Sequence, residues 1–359
     1  MNIPHFKFYT KGDVLSLIQI RRFETKLGER VEVMGEDHSP EAFARLNAQY
    51  VVFGIPEDIG VQANGGTAGT STAWLSFLHS FFNIQSNDFL VGDDIAVIGH
   101  FDFGDLQFLI DKNASTSDEK LEAYRHAVNA IDEEVEKLVK AIVASGRIPI
   151  AIGGGHNNAY PLLKGSAKGL NQSDEIDIPQ INCINLDAHA DYRPAEGRHS
   201  GNAFRYAEDD GFLQKYCVVG LQENYLQQNV WIDIVNNPFF DCITYEDIFI
   251  HGKRTFHQAV SHAIEFTDDN FCGIELDLDC IQHTLSSAIS PSGVSALNAR
   301  QYVNLCAANA KCCYLHICEG ATQLNNGRAD ESTGKLISYL VSDFIKMHAA
   351  EKDGETNNG

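Results

Sequence analysis

INCINLDAHADYRP (181–194) is an apolar run that ends in three polar residues spaced two apart, Asp187, His189 and Asp191. Alternate side chains of an extended chain point the same way, so this spacing predicts that all three converge on one point. Carboxylates and an imidazole gathered at the end of a buried strand need a partner for their charge, and a metal ion is the partner that fits. The run before them is apolar throughout rather than alternating, which is the pattern of a parallel strand covered on both faces.

Six further segments read the same way: AQYVVFGI (48–55), DIAVIGH (94–100), IPIAIGGG (148–155), KYCVVGL (215–221), FCGIELDLD (271–279) and CCYLHICE (312–319). Between two of them, residues 118–145 carry apolar side chains at steps of three or four, from Leu121 through Val128, Ile131 and Val135 to Ile142. That spacing predicts a long amphipathic helix, with an N-cap within 115–118 and Gly146 as its stop. A second helix is expected at 338–348. Strands alternating with helices imply a layered α/β domain with a mainly parallel sheet. Residues 1–45 read as an N-terminal extension packed on the main domain, 46–350 as that domain, and 351–359 as a disordered tail.

The 359-residue chain is 44% hydrophobic and 21% charged, ample for a large core. Its formal net charge of −22 argues against nucleic acid, whose phosphates need clustered Lys and Arg. No run reaches the roughly 18 apolar residues of a membrane span, and residues 1–10 lack the pattern of a signal peptide, so a cytoplasmic protein is expected. The nine cysteines include no CxxC pair and several lie in apolar runs, as buried free thiols do.

Three strands deliver candidate ligands. IPIAIGGGH leads to His156, INCINLDAHAD to Asp187, His189 and Asp191, and FCGIELDLD to Asp277 and Asp279. Ligands of parallel sheets bind at the carboxyl ends of the strands, so the three groups can meet at one edge. Four carboxylates together would repel one another, whereas two divalent ions would balance them. An oxygen and imidazole set without thiolate favours a harder ion than zinc, with Mn²⁺ the natural candidate. Paired ions lower the pKa of a shared water, which makes hydrolysis the default chemistry.

In this combination, GGGH (153–156), DAHAD (187–191) and DLD (277–279) resemble the motifs of the ureohydrolase family of arginases, agmatinases and formimidoylglutamases. GIPEDIG (54–60), NGGTAG (64–69), DFGD (102–105), SGNAF (200–204) and ICEG (317–320) extend the resemblance over about residues 46–345. It implies a three-layer αβα sandwich around a parallel eight-stranded sheet, assembled as trimers or hexamers. It also implies two Mn²⁺ ions per subunit, with His156 and Asp191 on one and His189 with one Asp of the DLD pair on the other. Asp187 and the remaining Asp would bridge. Glu319 falls where the family holds the amidine or guanidine end of a small-molecule substrate, and Asp279 is the expected proton relay.

GGGH, DAHADYR and SGNAF look most like formimidoylglutamases, which implies N-formimidoyl-L-glutamate as substrate. By the same resemblance Arg193, Ser200, Asn202 and Asn64 contact the substrate, Arg193 through its carboxylate. Phe204 stands where arginases place a proton-transfer His, with His199 as a possible substitute. Two departures concern the substrate end: Ala63 and Thr67 flank the NGG motif in place of Arg, and CIQHTLSSAISPSG (280–293) replaces the usual Asp-Pro segment. A different guanidino compound is the alternative substrate, and a noncatalytic protein on this fold the third reading.

Overall fold

The computed structural model describes residues 1–357, with side chains through residue 351. Nine strands form one sheet: β1 (Phe6–Phe8), β2 (Tyr50–Gly54), β3 (Ile95–Phe101), β4 (Ile148–Ile152), β5 (Ile181–Leu186), β6 (Leu213–Leu221), β7 (Phe240–Thr244), β8 (Cys272–Asp277) and β9 (Cys312–Cys318). Their order is β1-β3-β2-β4-β9-β8-β5-β6-β7. Strands β2 to β9 are the expected eight parallel strands, and the seven apolar runs supply all of them except β7. The ninth strand corrects the expected count: β1 pairs antiparallel with β3, Phe6 against Phe101, so residues 1–45 contribute to the sheet itself.

β1 and β7 are the two edges, and that is why no apolar run marks them. β7 buries only Phe240 and Ile243 of its five residues, whereas every residue of β2, β4, β5, β8 and β9 is buried. Alternate residues of each central strand feed different cores, as the pleat requires. Val51 and Phe53 join the helices Ser117–Ala144 and Ala159–Gln172 on one face. Tyr50 and Val52 join Ala73–Phe81, Ala296–Asn309 and Ser332–Asn357 on the other.

The long helix starts after Thr116, whose side chain accepts from the Glu119 backbone N–H in a capping box, and stops at Gly146 with φ of +76°. The last helix, Ser332–Asn357, is longer at both ends than the expected 338–348, and it takes in residues 351–357, expected to be disordered. Residues 358 and 359, the end of that expected tail, lie outside the described residues. No described helix is long and apolar enough to cross a membrane.

Candidate metal centre and pocket

The four central neighbours β4, β9, β8 and β5 carry every candidate ligand at their carboxyl ends. At the end of β4 the chain turns back through Gly153 and Gly154, both left-handed at φ +89° and +73°. A Cβ on Gly154 would meet Ile55 O and Asn158 Nδ2 at 2.6 Å, so glycine is required there on two counts. The turn is held by the buried Glu57 of GIPEDIG. Its Oε1 accepts from Gly155 N at 3.1 Å and Asn158 Nδ2 at 2.9 Å, and its Oε2 accepts from Gly60 N at 2.9 Å.

This turn sets His156, fully buried, among three carboxylates. Its Nδ1 lies 2.8 Å from Asp191, 3.2 Å from Asp187 and 3.3 Å from Asp277. Asp191 reaches that position only with a left-handed backbone, φ +44°. His156, Asp187, Asp191 and Asp277 form one group with metal-ligand spacing, and His189, Asp277 and Asp279 form a second that shares Asp277. His189 Nδ1 also lies 3.5 Å from Asp187 Oδ1, which sets Asp187 between the two groups. All six expected ligands are therefore brought together.

The residues fit a pair of cations. One imidazole nitrogen cannot donate to three carboxylates, and His156 Nδ1 has no hydrogen-bond partner of good geometry among the described residues. Burial, then Asp279 and Asp187, push the Asp277 carboxyl well above the carboxylate range. Burial lowers the basicity of His156, but Cys318 and the three aspartates outweigh it and hold the ring well above its ordinary pKa. Both shifts express missing positive charge between these groups.

Glu319 follows β9 with a left-handed φ of +61°. Its Oε1 accepts from His156 N at 2.7 Å, while Oε2 is buried without a partner among the described residues. Burial first and Asp279 second push its carboxyl up to about 8. Asp279 is capped by the unusual segment 280–293: Ala288 N donates to Oδ1 at 3.0 Å, and Ser287 Oγ donates at 3.3 Å to Oδ2. That segment thus supplies partners to the site in place of the Asp-Pro turn.

A pocket of about 290 Å³ opens over these groups. Arg193, Ser200 and Asn64 line it, together with His189, Asp277, Asp279 and Glu319. Arg193 donates to Asn64 Oδ1 at 2.7 Å and to Glu196 Oε1 at 2.8 Å. Asn64 Nδ2 donates to Ser200 Oγ at 3.3 Å. Asn202, expected in the pocket, is instead fully buried beneath it. Its Oδ1 accepts from Arg198 and from His199 N, and its Nδ2 donates to Gly197 O at 2.7 Å, so its polar atoms are spent on the loop. Phe204 lies behind His156, edge-on at 5.2 Å, and stacks on Tyr216 at 4.2 Å. His199 Nδ1 accepts from Gly201 N, and burial, with Arg193, Arg125 and Arg198 adding, pulls its pKa down to about 3.

Sequence reasoning missed Tyr225, whose ring lies 5.1 Å from that of His189 at the pocket wall. It also missed Glu57 and the buried pair Glu275 and His316. For Glu275 a signal was present, since in GIELDLD it keeps the period of two with Asp277 and Asp279.

An arginase family model matches residues 48–345. Formimidoylglutamase of Streptococcus pyogenes is 28% identical over 179 residues, a match spanning 48% of this chain and 51% of the relative's length. The chain thus covers about half of that relative. Among solved structures, formimidoylglutamase from Bacillus subtilis superposes with a TM-score of 0.69 at 15% identity, covering 92% of this chain and 94% of that one. Trypanosoma cruzi formiminoglutamase, solved with Mn²⁺, gives 0.64 at 19% identity, with 91% and 99% covered. At these identities the likeness extends to the fold.

Proposed function

The chain belongs to the arginase family, and on that premise we propose that it is a binuclear manganese hydrolase cleaving a C–N bond of a linear amidine. The favoured substrate is N-formimidoyl-L-glutamate, which with water gives L-glutamate and formamide. The observation that carries this reading is the meeting of two ligand groups, sharing Asp277, beneath a pocket whose walls hold Glu319 and Arg193. The names of the S. pyogenes, B. subtilis and T. cruzi proteins support the choice of substrate.

His156, Asp187, Asp191 and Asp277 would hold one ion, and His189, Asp277 and Asp279 the other, with Asp187 leaning on both. Bound there, a Mn²⁺ pair supplies Lewis acidity and a water of lowered pKa. The rest is done by the chain's own side chains. Glu319 offers the buried Oε2 to the N–H groups of the amidinium, whose positive charge offsets the field that raises its pKa. Arg193, oriented by Asn64 and Glu196, takes a substrate carboxylate and Ser200 adds a hydroxyl beside it. Asp279, fixed by Ser287 and Ala288, passes the proton to the leaving nitrogen.

The same reading takes in a homo-oligomer of trimer or hexamer type and a cytoplasmic setting. Ile232 and Val235, exposed on the helix Gln228–Asn236, support association. Nine free thiols, eight of them buried, suit a reducing compartment.

The test is product analysis after reconstitution with Mn²⁺, offering formimidoylglutamate, arginine, agmatine and short guanidino acids in parallel. Formamide and glutamate from the first substrate alone are expected. Urea from a guanidino acid, with no formamide, would overturn the substrate assignment.

A further inference from the structure

Directly below the ligand layer, the three central strands carry a second polar layer at matching register. Glu275 of β8 pairs with Asn185 of β5 and with His316 of β9; Glu275 and His316 lie two residues before the end of their ladder and Asn185 one before the end of β5. All three side chains are fully buried. A polar layer in the middle of a parallel sheet costs stability unless every member is satisfied, so its presence calls for a reason.

The contacts give one. Glu275 Oε1 accepts from Tyr314 OH at 2.7 Å and Oε2 from His316 Nδ1 at 2.6 Å. The same Oε2 lies 3.4 Å from Nε2 of His156, an ion-pair distance without hydrogen-bond geometry, and Nε2 is the nitrogen that faces away from Asp187, Asp191 and Asp277. His156 thus spans the two layers, one ring nitrogen toward the aspartates and the other toward a single carboxylate. An imidazole with its proton on Nε2 has its lone pair on Nδ1, and a carboxylate facing Nε2 selects that tautomer and fixes the ring plane.

We propose that Glu275 is a positioning residue for the metal centre: it holds the Nε2–H of His156 and so presents the Nδ1 lone pair to a divalent ion among Asp187, Asp191 and Asp277. His316 keeps Oε2, the oxygen that faces His156, in place, whereas Tyr314 satisfies only the other oxygen. Glu275 lies outside the pocket and outside the two aspartate-bearing ligand groups, although with His156, His316 and Cys318 it forms a third buried group at ligand spacing; in the proposed role it acts through His156. The inference rests on the binuclear reading above, and it assigns unequal sensitivity to the two ligand groups, because only the group containing His156 depends on Glu275.

The experiment is Mn²⁺ binding to chelator-treated protein by equilibrium dialysis with metal analysis, paired with low-temperature EPR, on the wild type, Glu275→Gln, Glu275→Ala and Tyr314→Phe. Thermal unfolding of the metal-free proteins checks that each variant folds. The wild type should bind two ions. The Gln variant should bind one ion as before and the other about 10- to 100-fold more weakly, converting a coupled two-ion EPR signal to an isolated one at limiting Mn²⁺. The Ala variant should lose more than the Gln variant.

Tyr314→Phe removes a partner of the same carboxylate without touching its contact to His156, and it should bind both ions like the wild type. Equal loss in Tyr314→Phe and Glu275→Gln would mean that packing alone is responsible and would overturn the proposal. Wild-type affinity at both positions in Glu275→Gln would overturn it as well, while leaving the binuclear reading intact. A wild type that binds no Mn²⁺ would remove the binuclear reading and this inference together.

Discussion

Arg193 is held to Asn64 by a 2.7 Å hydrogen bond that joins the loop after β5 to the NGG loop after β2. Asn64 on the pocket wall and Glu196 outside it occupy two of the guanidinium's nitrogens, so the cation is oriented before any substrate arrives. The flanks of the NGG motif are Ala63 and Thr67, and the motif's contribution here is to aim an arginine that the other loop supplies.

Arg193→Ala should therefore raise KM for a carboxylate-bearing amidine, with kcat/KM falling on the order of 100-fold for loss of a charge-assisted contact. Arg193→Lys should recover little, because a point charge cannot replace the fork held by Asn64. Steady-state kinetics with formimidoylglutamate and with an amidine lacking carboxylates decides the matter. Equal losses on both substrates would remove Arg193 as the carboxylate anchor.

Glu319→Gln keeps the shape of the side chain and an oxygen able to accept from His156 N. It removes the charge proposed to face the amidinium. A loss in kcat/KM of about 100-fold or more is expected, with Mn²⁺ content and thermal stability close to wild type. Retained turnover would assign recognition of the amidinium to another group.

Asp279→Ala tests the proton relay. Turnover should fall by about 10²- to 10⁴-fold, measured at Mn²⁺ concentrations high enough that metal analysis still finds two ions. Normal turnover with both ions bound would show that the leaving nitrogen is protonated by a different group. Chelation of the wild type should lower its melting temperature, because ions that bind only the folded chain stabilise it by mass action.

His199 makes a pH-dependent contribution whose sign is fixed by burial. Its folded pKa of about 3 lies below the unfolded value near 6.5, so between those limits the unfolded chain binds the extra proton. The stability it contributes is complete above about pH 6.5 and is lost as pH falls toward 3. His199→Asn retains an acceptor for Gly201 N and has no ring to protonate. Melting temperatures of the two proteins from pH 7 to pH 4 should converge as pH falls, and parallel curves would show that His199 is not buried in its neutral form.

The sequence by itself determined the elements whose side chains face one environment along their whole length. Seven strands buried on both faces, and one helix with an unbroken apolar stripe, left periodicities that need no knowledge of neighbours. Their polar ends marked the six candidate ligands that the fold brings together, because charged residues closing an apolar run have few physical explanations. Only the tertiary structure decided what depends on pairing across the chain. The edge strands β1 and β7 lack a full apolar run because water covers one side of them. Asn202 is a loop brace because Arg198 and Gly197 reach it first. Glu275, with its period of two in plain sight, became legible only when β9 placed His316 beside it and the turn after β4 laid His156 across it. A side chain's periodicity is written in its own strand, but its partners are set by strands distant in the chain, and partners are what turn a buried charge into a function.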